Sequence, residues 1–426
     1  MERCAMQVRQ DAGDGSGESE GAAAGGFEIR SLMAQQEMRQ PYLRLVSQLV
    51  AEKGGVNLGQ GVCQMPTPRI VKRGAMEATA RGWNRYSPPD GILPLREKIT
   101  AKLQRFNGIP CEVGHVAVTC GSTGAFEAVC ETFLNPGDEV VMFAPIYPYH
   151  RNTVEHGGRC AVKTVRLAAP NWTFDFDEFR AALGPKTKIV LLVNPGNPTG
   201  KVFTREELLA VGGECRRRGI LVVTDEVYEY LTYGGRRHLS IASLPGMFDS
   251  TITMGSYSKT FSITGWRIGY LCAPAAVLPS VKALLDQRYI CPPTNNQYGV
   301  LRGLESLGDD FYERQRLKYA RKRKILCSAL EAAGFAVCKP QGAYYVIADI
   351  SRRFPGLTSE EVAIEKLINA AAPGEAVGAV PASDFLGREV LGDPERSTFL
   401  RFCYSAPDES LKKAAALIEG LSGNRG

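Results

Sequence analysis

Short apolar, β-branched runs alternate with helical stretches between about residues 110 and 275. Fully apolar strands of this kind indicate a mainly parallel sheet that helices cover on both faces. The runs that predict strands are 116–119, 139–143, 189–193, 220–224 and 250–254. Helices are predicted between them, for instance over residues 125–134 and 206–217. The pattern therefore predicts an α/β fold whose ligands bind beyond the carboxyl ends of the strands.

The regions on either side of this core follow other patterns. Residues 27–53 have helical spacing of apolar positions, interrupted at Pro41, and residues 310–333 form a long amphipathic stretch. Short apolar runs then mix with helical patterns as far as the end of the chain. We expect an N-terminal arm and part of a small domain at 27–65, a large domain at 66–308 and a smaller α+β domain at 309–426.

Composition adds three expectations. Residues 1–26 are rich in Gly, Ala, Ser and acids, which predicts a disordered tail. The net charge of +6 is mild, and the basic residues of 314–324 are interleaved with apolar ones, as on the exposed face of a helix. A nucleic-acid surface is therefore not expected. No run of apolar residues is long enough to predict a membrane span.

The cysteines and histidines favour no structural metal site. The 12 cysteines are scattered and include no Cys-x-x-Cys pair, so we predict reduced thiols and a cytoplasmic location. The 4 histidines (His115, His150, His156 and His238) show no metal-binding spacing, and we interpret each as an ordinary residue.

Residues with useful chemistry follow three of the predicted strands. Residues 121–124, Gly-Ser-Thr-Gly, can form an anion site at a helix N-terminus, although a plain capped turn has the same sequence features. Residues 194–200 contain two prolines and two glycines, which fix an unusual backbone and leave an asparagine amide at the sheet edge. Asp225 can pair with a cationic ring nitrogen or cap a helix. Tyr228, three positions on, can reach the same ligand.

Lys259 follows a fourth strand, among small hydroxyl residues and eight positions before Arg267. A lysine within apolar walls has a lowered pKa, so its amine can form a Schiff base with an aldehyde. Serine hydroxyls and an arginine bind phosphate. An aldehyde that carries a phosphate is pyridoxal 5'-phosphate (PLP). A solvated surface lysine would explain the Ser-x-Ser-Lys motif alone, but not the four strand-end motifs together.

These motifs resemble the signature segments of class I/II, fold-type I PLP-dependent aminotransferases. The segments that carry the resemblance are 135–140, 194–200, 225–228, 256–269 and 401–405. The similarity extends over about residues 27–421. It implies a mainly parallel seven-stranded sheet in a large PLP-binding domain, with a smaller α+β domain. The kynurenine, glutamine-phenylpyruvate and methionine group looks closer than the aspartate group.

The resemblance also implies a role for each residue. Lys259 would hold PLP as a Schiff base and move a proton, and Asp225 would keep the pyridine nitrogen protonated. Asn197 and Tyr228 would bind the 3'-oxygen. The other residues implied to bind the cofactor are Tyr147 by stacking, Gly121, Ser122, Thr123, Ser256, Ser258 and Arg267 at the phosphate, and Tyr86 from a neighbouring subunit. Those implied to bind the substrate are Gly61, Asn197 and Arg401, the arginine gripping the α-carboxylate.

The implied enzyme is a homodimer that moves the amino group of an L-amino acid to a 2-oxo acid by a ping-pong mechanism. A C–S β-lyase, an aminocyclopropane-carboxylate synthase and a PLP-dependent amino-acid oxidase would use the same lysine and aspartate, and these alternatives stay open. A PLP-sensing regulator would need a DNA-binding domain ahead of the fold. Residues 1–26 are too few and too acidic for one.

The donor preference rests on one region. A dicarboxylate donor needs a second cation, which in the aspartate group comes from the partner subunit. Arg288 is the only cation in residues 286–296, and Asp286 is close enough in sequence to neutralise it. We therefore expect a neutral, aromatic or sulfur-bearing donor. Residues 62–65, Val-Cys-Gln-Met, depart from the aromatic and acidic residues of the kynurenine group, so the particular donor stays open.

Overall fold

The computed structural model describes residues 41–156, 159–385 and 397–421. The expected tail at 1–26 and the first part of the expected arm, 27–40, lie outside these residues. The strands are β1 (Gly55–Asn57), β2 (Val116–Thr119), β3 (Glu139–Ala144), β4 (Ala161–Arg166), β5 (Thr187–Val193), β6 (Leu221–Asp225), β7 (Thr251–Ser256), β8 (Gly269–Cys272), β9 (Ala336–Cys338), β10 (Tyr345–Asp349), β11 (Ala376–Gly378), β12 (Val380–Pro381) and β13 (Phe399–Cys403).

Helices connect and cover these strands. They are α1 (Pro41–Lys53), α2 (Arg69–Ala80), α3 (Leu93–Lys102), α4 (Gly121–Phe133), α5 (Pro148–Glu155), α6 (Phe176–Ala182), α7 (Arg205–Arg218), α8 (Tyr257–Thr260), α9 (Leu278–Tyr289), α10 (Thr294–Ser306), α11 (Asp309–Ala332), α12 (Ser359–Glu361) and α13 (Asp408–Gly420). Wider π-helical turns extend α3 through Leu103–Asn107 and α12 through Val362–Asn369. Most predicted ends agree with these bounds within about two residues, but α4 begins at Gly121, four residues earlier than expected.

Local sequence explains where α7 begins and ends. The Thr204 hydroxyl accepts a hydrogen bond from the Glu207 backbone N–H, and the Glu207 carboxylate accepts one from the Thr204 backbone N–H, which satisfies two donors of the first turn. Gly219 ends the helix in the left-handed region, at φ 67°. Acids in the first turn and arginines in the last turn complement the helix dipole.

The largest sheet has seven strands in the order β2-β8-β7-β6-β5-β3-β4. Neighbouring strands of this sheet pair in parallel, except that β8 runs antiparallel to both β7 and β2. The predicted mainly parallel seven-stranded α/β sheet is therefore confirmed. Because the other six strands run in one direction, their carboxyl ends share one edge, and the amino end of β8 lies at that edge too.

Alternate residues of the central strands enter two separate hydrophobic clusters. Val140 and Met142 of β3 pack in one cluster, and Val141 and Phe143 of the same strand pack in the other. This is the two-residue period of a strand whose faces are both covered. It explains why the strands read as continuous apolar runs.

A second sheet, of four strands in the order β12-β13-β10-β9, carries residues from the last third of the chain. Its pairs are antiparallel. Strand β1 instead pairs in parallel with β11, so the segment after α1 joins the C-terminal elements. The expected N-terminal arm at 27–65 stays a prediction. The expected boundary between a large and a small domain at residues 308 and 309 stays a prediction.

The cysteines of the described ranges are all free thiols, and most of them are buried. Within the same ranges, no helix combines the length and the hydropathy that a membrane crossing requires.

Candidate active site

A cavity of about 320 Å³ lies at the edge of the seven-stranded sheet where the parallel strands end. All of the predicted site residues except Gly121 and Tyr86 line it. They are Gly61, Ser122, Thr123, Tyr147, Asn197, Asp225, Tyr228, Ser256, Ser258, Lys259, Arg267 and Arg401. Most are contributed by segments that directly follow β2, β3, β5, β6 and β7, whereas Arg401 lies on β13 of the other sheet.

One end of the cavity has the properties of an anion site. Ser122 and Thr123 lie in the first turn of α4, whose backbone N–H groups and dipole favour negative charge. Arg267, which precedes β8, donates to the carbonyl of Cys120 at 3.3 Å. Gly121 has φ +75°, and a Cβ built there would lie 2.5 Å from Arg267 Nη2. Gly121 therefore contributes by leaving room for the guanidinium rather than by lining the cavity.

Two serine hydroxyls line the cavity beside Arg267. Ser256 Oγ donates to Ser258 Oγ at 2.9 Å and accepts from the Ser258 backbone N–H at 3.2 Å. The short helix α8 begins at this turn and carries Lys259 one residue further on. The hydroxyls and the lysine are therefore presented by the same tight turn.

Lys259 is held in a poorly solvated position. Its Nζ donates to the backbone carbonyl of Gly61 at 3.3 Å, and no carboxylate in the described ranges lies within 4.0 Å of it. Burial lowers the pKa of the amine, and neighbouring thiols and Asp225 only partly offset that effect. A lysine in this state presents a neutral, nucleophilic amine more readily than a solvated one.

Asp225 is paired with a histidine that the sequence analysis treated as ordinary. His150 Nε2 lies 3.2 Å from Asp225 Oδ2, and both side chains are buried. His150 lies one helical turn after Tyr147 and also lines the cavity. His150 was interpreted as an ordinary residue rather than a metal ligand, and its contact with Asp225 was not predicted. The i, i+3 spacing from Tyr147 was the available signal.

Asp225 also acts at the backbone. Its Oδ1 accepts from the Val227 N–H at 3.3 Å, which is the capping arrangement considered as its alternative role. One carboxylate oxygen thus shapes the turn that leads to Tyr228, while the other contacts His150.

Arg401 is fixed from several sides. Its Nη1 donates to Asn197 Oδ1 at 3.2 Å and its Nη2 donates to the Gly59 carbonyl at 2.5 Å. The guanidinium carbon lies 4.7 Å from the ring centre of Tyr345 and 4.4 Å from that of Phe385. Its Nε is buried and has no partner among the described residues. A planar cation with an unfilled donor is suited to a carboxylate ligand.

Tyrosines line another wall. The hydroxyls of Tyr228 and Tyr345 lie 3.0 Å apart. Burial raises the pKa of both phenols, so both stay protonated near neutral pH and can donate hydrogen bonds. The sequence analysis did not identify Tyr345, because its strand, β10, is far from the motifs in the chain.

Other residues missed by the sequence analysis complete the lining. They are Leu43, Gln60, Val62, Tyr149, Val193, Val227 and Thr264, together with His150 and Tyr345. Of the unusual segment 62–65, Val62 lines the cavity. Cys63 instead packs behind it, with its thiol 3.0 Å from both Ser262 Oγ and Tyr319 OH. Val193, Val227 and Thr264 lie within the strand run and motif segments already described, whereas Leu43 and Tyr345 lie outside all of them.

Neither Tyr86 nor Arg288 lines the cavity. Tyr86 is 78% exposed and does not line the cavity of its own chain. Arg288 Nε donates to Glu131 Oε2 at 3.0 Å, and its Nη1 lies 3.4 Å from Glu127 Oε1. Arg288 was predicted to pair with Asp286, and that prediction is wrong. Helix α9 packs against α4, which places Glu127 and Glu131 beside the arginine instead.

A second buried polar group, which we call the Glu226 cluster, begins one residue after Asp225. Its members are Lys102, Asn107, Glu226, Glu229, His238 and Ser240. Lys102 Nζ contacts both oxygens of Glu229 at 2.5 Å, and His238 Nε2 lies 2.8 Å from Glu226 Oε2. Carboxylate and imidazole atoms converge here, as in a metal site. The ammonium of Lys102, however, already provides the compensating positive charge.

The residues of the cavity fit PLP. A helix N-terminus with Arg267 suits its phosphate, and the buried carboxylate of Asp225 suits a cationic ring nitrogen. Lys259 offers a poorly solvated amine to its aldehyde. The unpartnered donor of Arg401 suits the carboxylate of an amino acid that reacts with it.

Comparison with known proteins agrees with this chemistry. The family model "Aminotransferase class I and II" matches residues 53–418. An aspartate/prephenate aminotransferase of Thermus thermophilus is 33% identical, over 84% of this chain and 89% of the relative. Human kynurenine–oxoglutarate transaminase 1 is 30% identical, over 88% and 95%. Identity alone therefore does not select an amino donor.

A solved structure matches the fold as well. A double mutant of the Thermus thermophilus aspartate aminotransferase superposes with a TM-score of 0.83 at 29% identity, covering 93% of this chain and all of that one. The fold-type I architecture predicted from the sequence is confirmed by this match and by the seven-stranded sheet. Because the family model matches most of its length and the fold superposes on a solved member, the chain belongs to the class I and II aminotransferases, enzymes that use PLP to move the amino group of an amino acid to a 2-oxo acid.

Proposed function

We propose that this aminotransferase takes a neutral, aromatic or sulfur-bearing L-amino acid as donor and works by a ping-pong mechanism. In such a mechanism, the donor leaves as a 2-oxo acid before the acceptor binds. The observation that carries the donor proposal is the pairing of Arg288 with Glu127 and Glu131, described above. A cation already paired with two acids is a poor partner for the second carboxylate of aspartate.

The lining of the cavity supports the same donor class. Leu43, Val62 and Tyr149 offer apolar and aromatic surface to a donor side chain, whereas the cations that line it, Lys259, Arg267 and Arg401, have other proposed roles. A donor that buries an apolar side chain gains about 1.5 to 3 kcal/mol, which is about tenfold to a hundredfold in specificity.

We assign the phosphate of the cofactor to the site formed by α4 and Arg267. Ser122, Thr123, Ser256 and Ser258 complete it with backbone and hydroxyl donors, and Gly121 leaves room for the Arg267 guanidinium. Tyr147 is assigned to stack on the ring. The first turn of α4 and the paired serine hydroxyls support this assignment.

The electronic roles follow from charge and burial. When bound, PLP supplies a protonated ring that accepts the electrons of the bond broken at the substrate α-carbon. Asp225 holds the proton on the ring nitrogen, because a buried carboxylate stabilises a nearby cation. Asn197 and Tyr228 donate hydrogen bonds to the phenolic oxygen. Lys259 would take the proton from the substrate α-carbon and deliver it to the C4' atom of the cofactor, a role that its lowered pKa supports.

We assign the α-carboxylate of the substrate to Arg401, with Asn197 and the backbone of Gly61 beside it. The guanidinium carbon lies 4.7 Å and 4.4 Å from the ring centres of Tyr345 and Phe385, and Arg401 is 3% exposed. A desolvated, preoriented arginine binds a carboxylate more strongly and in a more defined geometry than a lysine would.

A spectral screen tests the donor class. Each amino acid is mixed with the PLP-loaded enzyme without an acceptor, and kcat/KM is then measured for aspartate, methionine, phenylalanine, glutamine and kynurenine. We expect aspartate to react more slowly than at least one of the other four. The matched variant is Arg288→Ala, which should change the aspartate-to-methionine ratio by less than about threefold. Aspartate ahead of all four would contradict the proposal, and a collapse of that preference in Arg288→Ala would identify Arg288 as the partner of the second carboxylate.

We further propose a homodimer in which Tyr86 of one protomer completes the phosphate site of its partner. The 78% exposure of Tyr86 and its position outside its own cavity support this assignment. Sedimentation at micromolar concentration should give about twice the 46.4 kDa chain mass. A fully active monomer would contradict the shared site.

We also propose that the enzyme is cytoplasmic. The free thiols of the described cysteines support a reducing compartment. Fractionation of the source cells should recover the transaminase activity with the cytoplasmic markers. Recovery with the contents of an oxidising compartment would contradict this location.

A further inference from the structure

Tyr345 contacts three parts of the proposed site at once. Its hydroxyl lies 3.0 Å from that of Tyr228, and its ring lies under the guanidinium of Arg401 at 4.7 Å. A Cβ built on Gly61 would lie 2.2 Å from the same hydroxyl, so the glycine leaves the space that this hydroxyl occupies. Tyr345 is 2% exposed and lines the cavity.

The two hydroxyls each have one proton, and only one can lie between them. If Tyr228 donates to Tyr345, the Tyr228 proton is used inside the protein. If Tyr345 donates, the Tyr228 proton is free to point into the cavity. The direction of this hydrogen bond therefore decides whether Tyr345 occupies the Tyr228 proton. The neighbouring Tyr344 hydroxyl, which also influences Tyr228, donates its own proton to the Gly61 carbonyl at 3.0 Å.

We propose that the Tyr345 hydroxyl donates to the Tyr228 oxygen and so directs the Tyr228 proton into the cavity, which makes Tyr345 a positioning residue for the reaction. This inference rests on the proposed role of Tyr228 at the phenolic oxygen of the cofactor. The inference gives a function to the Tyr345 hydroxyl, which belongs to none of the strand-end motifs and is not needed to bind the carboxylate at Arg401.

The surroundings of the two phenols favour this direction. The positive charge of Arg401 lies over the ring of Tyr345 and stabilises electron density on its oxygen, which makes that hydroxyl the stronger donor. Burial raises the pKa of Tyr345 to about 12, and Arg401 acts in the opposite sense. Burial raises the pKa of Tyr228 well above its ordinary value, with no arginine to oppose it among its main influences.

The hydrogen bond from Tyr345 also affects how strongly Tyr228 donates its own proton. A hydroxyl that accepts a hydrogen bond on its oxygen becomes a better donor through its own proton. Tyr228 should therefore stabilise negative charge on the phenolic oxygen more strongly with Tyr345 behind it than alone. Stabilising that charge lowers the pKa at which the visible absorption band of the PLP-loaded enzyme titrates.

The test is Tyr345→Phe in the PLP-loaded enzyme, because phenylalanine keeps the ring against Arg401 and removes only the hydroxyl. Spectrophotometric titration should show the pKa of the visible band raised by about 0.5 to 1. The control is Tyr404→Phe, a buried tyrosine whose hydroxyl donates to the Ala343 carbonyl at 3.1 Å instead. That variant should titrate like the parent, and thermal melting should show that both are folded.

A double mutant separates this inference from the proposed function. Tyr228→Phe should raise the same pKa by more than Tyr345→Phe does. The double variant should match Tyr228→Phe alone, since Tyr345 acts through Tyr228. If Tyr228→Phe raises the pKa and Tyr345→Phe does not, the relay is wrong and the role of Tyr228 stands. If neither raises it, the role proposed for Tyr228 fails as well.

Kinetics give an independent readout. Tyr345→Phe should lower kcat by about three- to tenfold while the donor KM stays within about twofold, because the ring against Arg401 remains. A raised KM with an unchanged kcat would mean that Tyr345 serves only the carboxylate site. That result would overturn the inference.

Discussion

Asp225 and Glu226 are neighbours at the end of β6, but they belong to two polar regions that differ in how their charges are satisfied. Asp225 lines the cavity, and Glu226 lies in the buried Glu226 cluster. In the cluster, each carboxylate oxygen of Glu226 has two protein donors and those of Glu229 share Lys102. In the cavity, Lys259 has one long contact and Arg401 has an unpartnered Nε.

This contrast has a physical reason. A buried charge is costly unless hydrogen bonds and an opposite charge compensate it. The Glu226 cluster is compensated within the chain, so its role is to hold α3 against the turn that carries Tyr228. In the cavity, hydrogen-bond donors stay without full protein partners until a cofactor and a substrate bind. This arrangement lowers the stability of the unliganded chain and serves function.

The largest expected effect is at Lys259. Replacing it with alanine should lower turnover by at least about four orders of magnitude, because one amine has both proposed roles, binding the cofactor and moving the proton. The free energy of unfolding should stay equal or rise, since a poorly solvated amine is removed. Borohydride reduction of the parent should place a pyridoxyl group on Lys259.

Lys322→Met is the matched control, since Lys322 is buried but paired with Asp408 at 2.7 Å. It should lower stability and leave kcat within about threefold of the parent. A pyridoxyl label on another lysine, or an active Lys259→Ala enzyme, would remove Lys259 from the centre of the cavity chemistry.

The next effect compares the two neighbouring acids directly. Asp225→Ala should lower kcat by about a thousandfold, because losing one ion pair to a buried cation costs about 3 to 5 kcal/mol. Glu226→Gln should leave kcat within about threefold. Steady-state kinetics on both variants checks the contrast. An Asp225→Ala enzyme within tenfold of the parent would show that Asp225 acts only as a cap for the turn.

The third effect concerns stability. Lys102→Met should lower the free energy of unfolding by about 3 to 5 kcal/mol, because it leaves the buried Glu229 uncompensated. Denaturant titration measures this. Adding Glu229→Gln to Lys102→Met should recover part of the loss. If Lys102→Met melted like the parent and lost activity instead, the cluster would belong to the active site.

The smallest effect depends on pH. Burial raises the pKa of Glu226, but the charge and hydrogen bond of His238 and the hydrogen bond of Ser240 outweigh it, so the pKa lies below 4.5. The stability that Glu226 contributes is then full above about pH 4.5 and is lost as the pH falls through the lower, folded-state value.

Glu226→Gln should accordingly lower stability near neutral pH and flatten its fall below pH 4.5. Unfolding titrations at several pH values measure the slope. Glu409→Gln is the control, because the side chain of Glu409 is 88% exposed, and it should keep the slope of the parent. Equal slopes in all three proteins would show that His238 does not stabilise the Glu226 carboxylate.

The predicted site residues that the structure brings together share a local signal. Ser122, Asn197, Asp225 and Lys259 each follow an apolar strand run, and parallel strands bring such positions to one edge. Arg401 was found by resemblance alone. Tyr345 carries no local signal, because its importance comes from lying opposite Tyr228.

Electrostatic partners were the least predictable feature. Arg288 was expected to pair with Asp286, two positions away, but it pairs with acids on α4. The partner of a long side chain depends on which helix packs beside it, which the spacing of apolar residues does not specify. The contact of His150 with Asp225 was not predicted for the same reason, since it joins the ends of two different strands.

The sequence alone determined the order and type of the main elements, because burial on both sheet faces and amphipathic helices leave periodic patterns of apolar residues. It also determined which strand-end residues meet, because the direction of parallel strands follows from their connections. Only the tertiary structure decided which charges are compensated. The positions of Lys102, His238 and Phe385 around their partners depend on packing between distant segments, and it is this packing that separates the filled Glu226 cluster from the open cavity.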